Sequence, residues 1–136
     1  MALQAIWRKS LKAPNQPMPL KFTTGGAVVK GDILAFSSGA VVQAGDGADP
    51  KTLAGIALHE AASGAEVLVA PLMPDDIWEV TLSGTVPNVG SLLEIDVTAT
   101  EQTLVTDSAT GKQVARLLEV VNATSKRCLV RFIGAV

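Results

Sequence analysis

The 136 residues fit a single domain. They are 48% hydrophobic but only 4% aromatic, without tyrosine, and the formal charge is −2. A core of Val, Leu, Ile and Ala is therefore available, while base stacking and a global attraction to phosphate are not, which speaks against a nucleic-acid partner. The single cysteine, Cys128, excludes an intrachain disulfide and a multi-cysteine metal site. No run approaches the ~18 apolar residues of a bilayer span, and Met1-Ala2-Leu3-Gln4 lacks the charged and apolar regions of a secretory signal. No membrane partner is expected.

Residues 1–21 read as an extended arm. Pro14, Pro17 and Pro19 each remove a backbone donor and bias the preceding residue toward extended geometry. Residues 3–12 fit either a short helical turn or an edge strand. The arm is basic: no acid precedes Asp32, whereas Arg8, Lys9, Lys12, Lys21 and Lys30 are all cationic. The rest of the chain has six bases against thirteen acids.

Residues 22–136 read as one β-rich body. Short apolar runs are predicted as strands at 27–29, 33–36, 40–43, 53–58 and 66–70, separated by Ser37-Ser38-Gly39, by the loop from Gly45 to Pro50, and by Ala62-Ser63-Gly64. The second half continues with strands over 77–82, 92–97, 103–105, 114–121 and 128–133, with turns at Gly111-Lys112 and Asn122 to Ser125. Turns every 8–12 residues between β-branched runs predict an all-β fold, a small barrel or tulip-like body. The halves resemble each other: Gly31-Asp32-Ile33-Leu34 corresponds to Gly90-Ser91-Leu92-Leu93 at an offset of 59. Two copies of one open meander can shelter each other's edges.

The polar candidates are few. His59-Glu60 and Pro74-Asp75-Asp76, with Glu79, contain the residue types of a cation or general-base site. They fall on turn-like segments, where such side chains solvate the backbone, and no second histidine is present for zinc. Gly25-Gly26 and Gly45-Asp46-Gly47 open no helix that would aim its N–H groups at phosphate. Gly31-Asp32 shares its turn chemistry with biotinyl and lipoyl modules, but their lysine hairpin is missing. Cys128 sits in an apolar run as an inert thiol, so neither catalysis nor a cofactor is expected. Trp7, in a segment with little local core, is either an interface anchor or a staple onto its own body.

A short proline-containing arm, a body rich in Ala, Gly, Val and Thr, and the strings Gly31-Asp32-Ile33-Leu34, Leu53-Ala54-Gly55-Ile56-Ala57 and Ala65-Glu66-Val67-Leu68-Val69 resemble small phage head decoration, or cement, proteins. The resemblance covers most of the chain. It implies a virion structural protein, made in the host cytoplasm and placed on the outer capsid surface. There a homotrimer would clamp neighbouring major capsid protein subunits after the shell expands. The residues implied to bind the capsid are those of the arm, Trp7, Arg8, Lys9, Lys12, Pro14, Pro17, Pro19 and Lys21. Removing residues 1–21 is then expected to leave a folded body. Other head or tail components of similar build, and a clip-like domain for a small ligand, are the alternatives.

Overall fold

The computed structural model describes residues 3–11, 18–73, 75–106 and 112–133. Strands form where apolar and polar residues alternate. Glu66–Ala70 buries Val67 and Val69 and exposes Glu66 and Leu68; Arg127–Phe132 buries Cys128, Val130 and Phe132. A period of two lays one face of each strand on a core.

In chain order the strands are β1 (Ile6–Ser10), β2 (Leu20–Thr23), β3 (Ile33–Ser37), β4 (Ala40–Gln43), β5 (Leu53–Ala57), β6 (Glu66–Ala70), β7 (Asp76–Thr81), β8 (Leu92–Thr98), β9 (Glu101–Thr106), β10 (Ala115–Asn122) and β11 (Arg127–Phe132). A short 3₁₀ turn, Pro50–Thr52, precedes β5, and the Asp49 side chain caps it by accepting from Lys51 N. The protein is thus all-β, as the turn spacing predicts. Of the strand expected over 27–29 only an isolated pair remains, Val28 with Ala61. The chain is already turning there, because Asp32 Oδ2 accepts from Val29 N at 3.1 Å.

Two antiparallel sheets result, with orders β2-β6-β5-β3-β4 and β1-β7-β11-β10-β8-β9. Leaving β1 aside, these are one topology used twice. In each half the first strand pairs with the fifth, the fifth with the fourth, the fourth with the second and the second with the third. The registers agree as well: Leu20↔Val69 matches Trp78↔Val130, and Ser37↔Ala40 matches Asp96↔Thr103. Gly31 and Gly90 occupy one turn position, at φ +89° and +95°. Each donates its N–H at 2.8 Å, to Ala57 O and Leu117 O respectively. A left-handed conformation at that point is open to glycine at least cost.

Each sheet curls until its first and third strands meet, through the parallel bridges Thr24↔Val41 and Leu82↔Leu104. One bridged pair is not a ladder, so neither sheet is a closed barrel. The principal core runs through both halves, from Ile33, Ile56 and Leu53 to Trp78, Leu93, Leu104 and Phe132. A smaller cluster fills the first half alone: Val28, Leu34, Val41, Ala57, Val67 and Val69.

Two devices join the halves. The β8–β9 hairpin extends two residue pairs beyond its counterpart, Val97↔Gln102 and Thr98↔Glu101. It thereby carries Gln102, fully buried, against the first half. Gln102 accepts from Ile33 N at 2.6 Å and donates to Ile33 O and Ala44 O at 2.9 and 3.0 Å. The second device is the N-terminal segment. Leu3, at 0% exposure, donates to Gln102 O and accepts from Thr81 N, while Ala5 donates to Gly31 O. The segment expected to be an arm is therefore structural over residues 3–10: it contributes a core leucine and an edge strand. Deleting residues 1–21 would remove Leu3 from the core and Leu20 and Lys21 from β2.

Candidate functional site

Of the residues implied to bind the capsid, the structure places three on β1. Trp7 lies opposite Trp78 and is half-buried. Its indole N–H and the Oδ2 atom of buried Asp76 are both buried without a hydrogen-bond partner. Burial pushes the Asp76 carboxyl above its ordinary range, although Trp7 and Ser10 act in the opposite direction. Trp7 is thus a staple onto its own body.

Arg8 is also used internally. Its guanidinium donates to Glu79 Oε1 at 3.2 Å from Nε and 2.6 Å from Nη2. Arg127 holds the other carboxylate oxygen, from Nε at 3.0 Å, and reaches Leu3 O, Gln4 O and Thr81 Oγ1. Arg8, and then Arg127, hold the Glu79 carboxyl below its ordinary range against the opposing effect of burial. Lys9, Pro19 and Lys21 are exposed, the last on β2. Lys12, Pro14 and Pro17 lie outside the described residues.

The polar cluster read from the sequence is dispersed among separate partners. His59 Nε2 accepts from Leu68 N at 3.1 Å, which fixes the proton on Nδ1, and Nδ1 donates to Glu60 O at 2.8 Å. Asp75 pairs with Arg131 at 3.6 Å. Among the described residues no three His, Cys, Asp or Glu side chains converge on one point.

What the structure brings together instead is an unfinished seam. In the second half, β7 and β9 meet at the Leu82 bridge, Leu3 bonds to both Gln102 O and Thr81 N, and β1 continues along the edge of β7. Every interior position there is sealed: Trp78, Val80, Ile95, Leu104, Cys128 and Val130 are at most 1% exposed. In the first half β2 and β4 meet at the Thr24 bridge in the same way, but among the described residues no strand continues along the edge of β2. The positions matching Trp78 and Ile95 are Leu20 and Phe36, which are 49% and 52% exposed. Phe36 packs edge-on to half-buried Phe22, ring centres 5.3 Å apart. Met18, next to this mouth in sequence, is 82% exposed.

Sequence reasoning noted the duplication but did not use it residue by residue. Aligning the halves would have set Leu20 on Trp78 and exposed the asymmetry. The chain matches no protein-family model and no curated protein sequence.

Proposed function

We propose that this protein is a virion structural component that binds the outer surface of a phage capsid and stabilises the expanded shell by clamping neighbouring major capsid protein subunits, with its own copies arranged as a homotrimer. The observation that carries this reading is the asymmetry between the two halves. One half is covered by the chain's own N-terminal strand, whereas among the described residues no strand covers the edge of the other beside exposed Leu20 and Phe36. Unpaired strand edges next to apolar side chains are where another chain adds a strand. The resemblance to head decoration proteins supplies the identity of that other chain. Repetition over a lattice of equivalent sites makes modest single contacts sufficient.

Co-sedimentation of the purified protein with expanded heads that lack it tests the reading. Saturable binding is the expected result, with sedimentation equilibrium reporting three copies per particle in free solution. Absence of binding to the cognate heads would overturn the assignment.

A further inference from the structure

We propose that the open seam along β2 takes up an extended strand of the capsid subunit, antiparallel to β2, with an apolar side chain over Leu20 and Phe36 and a carboxylate facing Lys21. The inference rests on the capsid reading for the source of the strand and on the internal duplication for its geometry and chemistry.

The occupied seam is the template. There β1 runs antiparallel to β7, with Trp7 opposite Trp78 and Ile6 opposite Glu79. Arg8 answers Glu79, which Arg127 on the adjacent strand also holds. Translated through the duplication, Glu79 becomes Lys21, and Arg127 becomes Glu66, which lies opposite Thr23 as Arg127 lies opposite Thr81. The signs are reversed at both positions. A strand docking on β2 therefore needs an acid where β1 carries Arg8, because opposite charges across strands stabilise and like charges destabilise.

The same charges argue against a second copy as occupant. The far edge of β1 is one open edge among the described strands. It carries Arg8 and exposed Lys9, so pairing it with β2 would set cations against Lys21. The β3–β4 hairpin is two residue pairs shorter than β8–β9. The uncovered mouth is apolar, with Leu20, Phe22 and Phe36 at its rim, and it requires an apolar side chain from the incoming strand.

A synthetic peptide of residues 3–10 carrying Arg8→Glu is a direct probe that does not depend on the capsid. Added to the intact protein, it is expected to shift the NMR amide signals of Lys21 to Thr23. It should bind about tenfold more tightly than the unaltered peptide at low ionic strength, the effect of exchanging a like for an opposite cross-strand pair. Lys21→Glu in the protein should reverse that preference. Equal binding of the two peptides, or shifts confined to β7, would overturn the charge-matched seam.

The second arm uses expanded heads lacking the protein. Lys21→Glu, with an unchanged melting temperature, is expected to weaken head binding about tenfold. Unweakened binding would overturn the seam as the capsid contact while leaving the proposed function standing. If the unaltered protein fails to bind heads, the capsid reading falls and the peptide result alone judges the seam. Self-association that Lys21→Glu abolishes would replace the capsid strand with a second copy and overturn the choice of occupant.

Discussion

A buried amide does at Gln102 what neither an aliphatic nor a charged side chain would do. Its three hydrogen bonds satisfy Ile33 N, Ile33 O and Ala44 O across the junction of the halves. Leucine would fill similar space and leave Ile33 N and Ala44 O unpaired, each costing about 1–3 kcal/mol, while Ile33 O keeps its bond from Ala44 N. Gln102→Leu is therefore expected to lose about 2 kcal/mol or more in urea denaturation. The ionisable pair at β1 and β7 carries a second expectation, about pH. Folding lowers the Glu79 carboxyl below its ordinary 4.5, so its contribution is complete above that value and disappears as the pH falls through the lowered one. Glu79→Gln should melt lower than the natural protein at about pH 7, and the gap should close on acidification. Asp76 has the opposite sign. Its raised carboxyl disfavours the folded state as the pH rises past the ordinary value, 3.8. Asp76→Asn is expected to gain stability relative to the natural protein over that rise, as thermal melts across the pH range would show.

At the scale of elements, β1 and the long β8–β9 hairpin explain why only one half is sealed. Leu3 is held by backbone bonds to both Gln102 and Thr81, and so links β9 to β7. Leu3→Ala removes most of a fully buried side chain from a site fixed on both flanks, and a loss of about 2–5 kcal/mol is expected. Amide exchange should also quicken along β7, where β1 protects Ile77 to Glu79. Exchange that quickens only at the N-terminus itself would show that the strand is an appendage. The reading of residues 3–12 left an edge strand open as one option, and β1 is that strand. It gave no sign that the strand belongs to the second half, because pairing with β7 spans some seventy residues of sequence and leaves no local pattern.

For the whole molecule, the shared core decides cooperativity. Buried side chains from Ile33 to Phe132 form one cluster through both halves, so opening either half exposes part of the other's interior. Calorimetry is expected to give a single transition with matching calorimetric and van't Hoff enthalpies. Two resolved transitions would mean that the halves fold independently.

The sequence by itself determined the all-β class, most strand positions and the approximate duplication, because alternation and turn residues act between near neighbours and leave a trace in any window of ten residues. It also contained, without declaring it, the sign reversal between Lys21 and Glu79 and between Glu66 and Arg127. Only the tertiary structure decided that these pairs occupy equivalent places, that Trp7 and Arg8 are used inward, that His59 and Asp75 have separate partners, and that Leu20 and Phe36 stand at an open mouth. Those facts depend on strand pairing between distant segments and on a hairpin extended by two residue pairs. Side-chain period is blind to both, since it records which face a residue takes but not which strand will cover it.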